Sequence, residues 1–264
     1  MSLFSSADLP AFKADRLLAA AQTFFPGVVL SDAYLLQQIQ AAEADIARRL
    51  KVRLEPTTIF PYTPTEGEIT ALGAMPWAEE PGYDYDPEFF RGDRWGFIVL
   101  RQKPVVSVEF VRMSYPNPTV TFFTIPHDWI RLDKKAGHIR MVPASSGFTA
   151  PLSAFIMQAM GGGSTIPFMI QVKYVAGLTG VKTDPAWADL LDVILKQAVL
   201  NIIDGSFPTM SGSISADGLS ESRSVDPEKY REMVDFRLHG AKGSNGGLFA
   251  AIHGISMGVL GSFG

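Results

Sequence analysis

The sequence predicts an α+β fold: helical segments at both ends flank an inserted antiparallel β region of sandwich or barrel type, and an extended Gly-rich C-terminal tail closes the chain. Three patterns carry that prediction. Apolar residues recur at helical spacing toward both ends, as Leu35, Ile39, Ala42, Ile46 and Leu50 in one run and Leu190, Leu191, Ile194, Ala198 and Ile202 in the other. Between those runs, Pro, Gly, β-branched and aromatic residues dominate, and short alternating stretches replace the helical period. From Gly240 the chain reads GAKGSNGGLFAAIHGISMGVLGSFG, with glycine throughout. The expected organisation is a helical domain built from 1–54 and 178–239, a β-rich inserted domain over 55–177, and a partner-binding tail over 240–264.

Taken in order, 8–25 reads as a helix with Leu9, Phe12, Leu17, Leu18 and Ala21 apolar, stopped by Pro26-Gly27. Ser31 is an N-cap candidate for a second helix over 32–53, with Gln37, Gln38, Glu43, Asp45 and Arg49 off the apolar stripe. Pro56, Pro61 and Pro64 frame an irregular entry strand at 57–62, and 97–101 is a short apolar strand. In 105–113, Val106, Val108 and Phe110 are expected on one face and Ser107 and Glu109 on the other. A turn at 115–118 leads to a strand at 119–125. The runs 127–132 and 138–142 flank Asp-Lys-Lys-Ala-Gly, a hairpin with Gly137 at positive φ. The runs 153–160 and 167–175 flank a second, Gly-rich hairpin, and Phe168, Ile170, Val172 and Tyr174 alternate in the later strand. Asp184 caps a helix whose first position holds Pro185, where a missing N–H costs nothing, and Gly205 is its expected stop. A Ser/Gly-rich loop spans 207–224, and Asp226-Pro227 opens a shorter helix reaching Leu238.

The 264 residues, 47% of them hydrophobic, are enough for a full core. Charged residues make up 19%, less than the usual proportion of about a quarter, so neighbours are expected to cover more of the surface than in most proteins. A net charge of −4 gives no basic nucleic-acid footprint. The absence of cysteine excludes disulfides, thiolate nucleophiles, iron–sulfur clusters and Cys-type zinc sites. No uninterrupted apolar run reaches about 18 residues, so no membrane span is expected. The N-terminal stretch lacks a basic and then apolar signal, so synthesis in a cytoplasm is expected.

The tail cannot hold a fold alone, because each Gly loses the most backbone entropy on ordering. It is also too apolar for a solvated linker. Leu248, Phe249, Ile252, Ile255, Met257, Leu260 and Phe263 are therefore its candidate partner contacts, and the chain reads first as part of an assembly.

Motifs for chemistry are weak. His127 and His138, with Asp128 or Asp133, would make an incomplete metal set; two histidines on a polar strand face are the plainer reading. Carboxylates across 79–88 have the spacing of the start of a calcium loop but lack its central Gly and distal Glu, so a solvated loop with exposed tyrosines is expected. In a ring, that loop could meet a basic neighbour. The glycines at 161–163 lack the Lys and following helix of a phosphate loop. The serines at 211–224 have no nearby His. No catalytic residue, metal or cofactor is assigned.

The order of short motifs is more telling. A helix with Ser31-Asp32 and Ile39, Ala42, Ile46 and Leu50 precedes Lys-Pro-Val-Val-Ser-Val at 103–108. Then follow Asp-Trp-Ile-Arg-Leu-Asp at 128–133, Gly-His-Ile-Arg-Met-Val-Pro at 137–143 and Tyr-Val-Ala-Gly at 174–177, shortly before the Asp-Pro-started helix. Asp217-Gly218-Leu219-Ser220-Glu221-Ser222 and Tyr230 come later. Over 31–238 this order resembles the head-to-tail connector, or adaptor, proteins of tailed bacteriophages. The resemblance does not extend to the first thirty residues or the tail.

The resemblance implies a non-catalytic virion protein made in the host bacterial cytoplasm. It implies a ring of roughly twelve copies seated on the portal, with a neck or tail protein on the other side and DNA passing through the lumen. The helices would line the channel, and a terminal segment would reach into the portal. Another tail-completion or baseplate protein is the nearest alternative. A cell-wall hydrolase, or a carbohydrate-binding module with Trp77, Trp95 or Trp129 as a platform, stands further off.

Overall fold

The computed structural model describes residues 3–90, 94–114, 121–142, 165–207, 214–216, 219–221, 227–241 and 246–254. The fold is α+β, with helices toward both ends and a sheet region between them. The chain divides into two compact units, one formed by Met1–Lys51 and Gly180–Gly264, the other by Val52–Thr179. Among the described residues the α-helices are α1 (Leu9–Lys13), α2 (Arg16–Phe24), α3 (Asp32–Leu50), α4 (Glu66–Leu72), α5 (Ala188–Ser206), α6 (Glu228–His239) and α7 (Gly247–His253).

In the helical unit, the single helix expected over 8–25 is broken. Asp15 adopts extended backbone and turns its carboxylate onto the N–H groups of Leu17 and Leu18, at 2.9 and 3.2 Å. An N-cap in the middle of the apolar pattern ends α1 and starts α2. Ser31 caps α3 as expected, its hydroxyl accepting from the Tyr34 N–H at 3.2 Å. That helix stops at Leu50 rather than running to 53, because Lys51 takes a left-handed conformation, φ 53°. Asp184 accepts from the Ala186 N–H at 2.9 Å, and Pro185 opens a short 3-10 turn that runs into α5.

Helix α5 is the axis of this unit, packing against α2, α3 and α6. Ala198, Val199, Ile202 and Ile203 form one broad buried face, and Leu200, on the far side from Ala198, is buried as well. It runs through Gly205 to Ser206, whose hydroxyl bonds Tyr34 at 2.8 Å. Outside, Arg237 reaches Asp189 and Asp192, and Arg231 reaches Asp204, lacing α6 to α5. Exposed pairs of this kind contribute little singly. Within the expected loop at 207–224, Ile214–Ala216 (the tenth strand in chain order) pairs antiparallel with Leu219–Glu221 (the eleventh).

The other unit contains β1 (Thr57–Phe60), β2 (Trp77–Glu79), β3 (Tyr83–Tyr85), β4 (Ile98–Val99), β5 (Val105–Ser114), β6 (Thr121–Thr124), β7 (Ile130–Asp133), β8 (His138–Met141) and β9 (Ile166–Ala176). One sheet runs β2-β1-β9-β5-β6, with β3 also on β9; the other is β4-β8-β7. All pairs are antiparallel except β1 with β2. The two sheets share one core that includes Ile59, Leu100, Val108, Val111, Trp129, Ile139, Val172 and Tyr174. Helix α4 is absent from the sequence expectation. Its signal is a capping box, in which Thr65 accepts from the Glu68 N–H while Glu68 accepts from the Thr65 N–H, at 3.4 and 3.0 Å.

The clean alternation expected in β5 fails. Val105, Val108, Val111 and Ser114 are buried, a spacing of three, because register shifts between Val105 and Ser107 and between Val108 and Phe110 reset the phase. In β9, every residue from Met169 to Tyr174 is buried. The polar ones have partners: Gln171 accepts from Arg112 at 2.9 Å, and Lys173 donates to Glu109 at 2.8 Å. The strand and hairpin expected over 153–165 fall almost entirely outside the described residues.

The ends of this unit are stitched together. The Leu178 N–H donates to the Arg53 carbonyl at 3.0 Å, and the Gly177 N–H to the Pro104 carbonyl at 2.9 Å. A Cβ on Gly177 (φ 128°) would lie 2.3 Å from the Glu55 carbonyl oxygen, so only glycine lets the incoming and outgoing strands pass this closely.

Glu80 is buried and ties three segments. Its Oε1 accepts from the Tyr83 hydroxyl at 2.6 Å and the Tyr174 hydroxyl at 2.8 Å. Those hydroxyls in turn accept the N–H groups of Arg101 and Gln102, at 3.0 and 3.2 Å. The Arg101 guanidinium lies over the Tyr83 ring, 4.2 Å from its centre. Replacing Tyr174 with Phe (Y174F) leaves the buried carboxylate with one hydroxyl donor and the Gln102 N–H with none. It should cost about 1–3 kcal/mol in a urea titration.

Burial, reinforced by the neighbouring Glu80, pushes the Tyr83 phenol well above its usual range; burial and the charges at Tyr83 and Glu80 do the same to Tyr174. Burial and a hydrogen bond to Glu68 push Tyr62 up to about 12. A raised phenol pKa means that the folded state holds the neutral form. The stability it contributes is complete below the unfolded value of about 10 and is lost as pH climbs through the folded values. Part of the tyrosine absorbance rise at 295 nm should therefore come only with loss of near-ultraviolet circular dichroism above that pH; completion of the whole rise near pH 10 with the fold intact would contradict this.

Candidate functional site

The expected partner-binding tail is not extended from Gly240 onward, since 247–253 form α7, which packs on α6. Leu248 and Ile252 are 8% and 3% exposed, so within this chain they already serve as core. Phe249 is half-buried, its ring 4.7 Å from that of His253. The His253 Nε2–H donates to the Leu50 carbonyl at 2.7 Å, one of the free carbonyls ending α3. Because the acceptor is a carbonyl, the proton sits on Nε2, and the buried Nδ1 has no partner among the described residues. Ile255, Met257, Leu260 and Phe263 lie outside the described residues.

The glycines before α7 have an internal reason. Gly240 ends α6 at φ 79°, and Gly247 has φ 74°. A Cβ on Gly247 would lie 2.7 Å from both the Arg237 carbonyl oxygen and the Gly240 nitrogen. The start of α7 thus presses against the end of α6 at a distance only glycine permits.

The two histidines do not make a metal centre. His127 faces the Val108 carbonyl at 3.2 Å, and His138 packs edge-on against Phe97 with ring centres 5.0 Å apart. No cluster of metal-ligating side chains occurs among the described residues. The acidic stretch 79–88 is built into the sheet rather than being a solvated loop. Tyr83 is buried, contrary to expectation. Asp84 Oδ1 accepts the Phe168 N–H at 3.0 Å, and Asp86 Oδ1 accepts the Glu88 N–H at 2.9 Å. Trp129 is buried, while Trp77 and Trp95 are exposed on the sheet unit.

Two features of this unit were not anticipated. Phe168, expected to alternate into the core, is 53% exposed and left-handed, φ 54°. For a residue with a Cβ, that conformation costs roughly 1–2 kcal/mol. The β7–β8 hairpin forms a cleft of about 450 Å³ lined by Ile130, Arg131, Leu132, Asp133, His138 and Arg140. Arg131 and Arg140 stand directly opposite one another in the ladder, an arrangement that repels. Alternating charge along 131–140 was visible in the sequence; the left-handed Phe168 had no sequence signal.

No family model matches the sequence, and no curated protein matches it. Among solved structures, a chain from the virion of a native gene transfer agent particle is similar at 14% identity. The match covers 85% of this chain and 89% of that one, with a TM-score of 0.37. A chain from the neck of an empty gene transfer agent particle, computed with C6 symmetry, is similar at 15% identity. There the match covers 78% of this chain and 84% of that one, with a TM-score of 0.34. Overlaps this partial decide neither fold nor role.

Introducing Gly247→Ala should strain the α6–α7 turn by at least about 1–2 kcal/mol. Hydrogen exchange should then speed up in α7 while the β-rich unit keeps its protection; unchanged exchange would mean that the turn tolerates a side chain.

Proposed function

We propose that this chain is a structural virion protein of the tailed-phage type, a head-to-tail adaptor. Copies form a ring that joins the portal to the neck or tail and lets DNA pass. The observation that carries the reading is the motif order, in which the motifs within the described residues fall on defined elements. The Ser31-capped run is α3, Lys103 to Val108 leads into β5, 128–133 and 137–142 contribute the β7–β8 hairpin, and the Asp-Pro start opens α5. Tyr174 to Gly177 closes β9 at the point where both ends of the inserted unit meet, and Gly177 fits there because no side chain does. Gly177 thus sits at a junction of the fold where a side chain is sterically excluded, and the other described motifs lie on the elements around it or cap the helices.

In this reading the protein's work is mechanical. The helical unit supplies a rigid body, and the segment after α7 supplies contacts to the portal. Leu248 and Ile252 act indirectly by docking α7, while Phe249, Ile255, Met257, Leu260 and Phe263 are the portal-facing candidates. A Gly-rich segment with spaced apolar residues suits narrow clefts between subunits. Identical contacts repeated around a ring would offset its ordering cost through avidity.

Rotational averaging of end-on electron-microscope images of the particle tests the ring. A twelve-fold axis is expected; three- or six-fold order would indicate a tail or baseplate component instead. The companion variant ends at Gly254. It should melt at the same temperature as the full chain yet fail to bind purified portal rings from the same particle; retained binding would remove the tail from the reading.

A further inference from the structure

The strained Phe168 and the cationic β7–β8 cleft are on the same unit and on different elements. We propose that they are the two halves of one contact between successive copies of this chain. The Phe168 ring of one copy enters the β7–β8 cleft of the next, with Asp84 facing Arg131 and Arg140. The proposal rests on the ring reading above.

The cleft shows what would fill it. Ile130 and Leu132 offer apolar surface, and Arg131 and Arg140 line it with charge. Neither arginine makes an ion pair among the described residues, nor do Lys134 and Lys135 at the hairpin turn. Arg131 donates to the Asp128 carbonyl, and Arg140 sits 5.8 Å from the centre of the Phe97 ring. Two exposed guanidinium groups stand opposite one another across the ladder, and the cleft's own carboxylate, Asp133, is engaged through Oδ1 by the Lys135 and Ala136 N–H groups, so an anion from outside would relieve the like-charge pairing. An aromatic ring with a carboxylate at its base would satisfy both the apolar and the charged parts.

Such a group is present on this chain. Gly82 lets β3 lie close on β9, since a Cβ there would be 2.7 Å from the Phe168 carbonyl oxygen. Asp84 Oδ1 holds the Phe168 N–H, leaving Oδ2 without a partner among the described residues. Asp84 thus holds the backbone of a left-handed Phe168 whose ring stays exposed. Strain retained without gain in internal packing points to a role outside the chain. Duplex DNA could neutralise the hairpin, but would leave Phe168 and its clamp without a function. With both halves on every copy, the contact is head-to-tail, which is the kind that closes into rings.

The chain has no cysteine, so the contact can be mapped by thiol chemistry on the full-length protein. A P167C/K135C double variant places thiols at exposed positions beside the two halves and keeps Phe168 and the cleft intact. Treated with a short bis-maleimide, it should give a ladder of dimers and higher species on a denaturing gel. Mixing the P167C and K135C single variants should stop at one heterodimer band, and neither alone should link. Adding R131E/R140E should remove the ladder without moving the melting temperature. Equal cross-linking in a V29C/K135C control, homodimers from either single variant, or protection of the hairpin by duplex DNA in place of the ladder would overturn the proposal. As a second variant, Phe168→Gly relieves the positive φ and should hold or raise the melting temperature while weakening self-association at least tenfold. A fall in melting temperature with association unchanged would mean that Phe168 serves only its own unit. A particle ring without the ladder would sink this contact and leave the ring reading standing; a ladder with no ring in the particle would do the reverse.

Discussion

The β-rich unit depends on β9. Its one edge carries β5, and its other edge is shared by β1 and β3. Remove it and the larger sheet falls into separate pieces. Its partners lie far away in sequence, so this unit cannot assemble from neighbouring segments alone. Burial on both faces from Met169 to Tyr174 therefore has to outweigh a large loop-closure cost. The Tyr174 hydroxyl extends the hold, reaching Glu80 beyond β2 and the backbone of Gln102 beyond β4. Gly177 then brings the end of the strand against Glu55. A single strand thus fixes the sheet, anchors the polar tie beneath it, and brings the two ends of the insertion together. That last property is what allows a β unit to interrupt a helical one without separating the helices on either side in sequence.

What could be read from the sequence follows from this. Elements held by local rules were legible: Ser31 and Asp184 as caps, Gly137 at positive φ in its hairpin, and the apolar stripes of α3 and α5. Elements whose shape depends on a distant partner were not. The bulges of β5 exist to match β9, and no local pattern in Val-Val-Ser-Val-Glu-Phe announces them. Gln171 and Lys173 read as a solvent face because their partners, Arg112 and Glu109, sit on another strand. Asp15 and the Thr65–Glu68 box are the opposite case. Their signals were local and present, but an apolar stripe overshadowed one and Gly67 disguised the other.

The C-terminal glycines divide in the same way. Composition alone suggests a segment that waits for a partner to order it. Part of that glycine content instead serves the turn between α6 and α7, where Gly240 and Gly247 take positive φ and one backbone presses on another. Leu248 and Ile252 then behave as ordinary core residues, and His253 closes the end of α3. The partner-binding argument moves toward the residues after Gly254, with α7 as the fixed point from which they depart. Composition cannot separate these roles, because a glycine needed for a tight turn and a glycine needed for threading are the same residue.

Both units pair several cations internally, and the arginines of the β7–β8 hairpin stand apart by their placement. In the helical unit, Arg231 and Arg237 find carboxylates on α5. In the β-rich unit, Arg101 is drawn to a buried carboxylate and Lys173 to Glu109. The β7–β8 hairpin differs in placing two arginines opposite one another in the ladder, with lysines at its turn. A chain of net charge −4 has enough carboxylates to neutralise it, yet Asp133 spends one oxygen on the turn's own N–H groups. On β3, Asp84 is likewise engaged with backbone, its Oδ1 accepting the Phe168 N–H. An aromatic ring is kept exposed at a cost in backbone strain. In the contact proposed between copies, that arrangement supplies direction, because each half repels its like and attracts its complement.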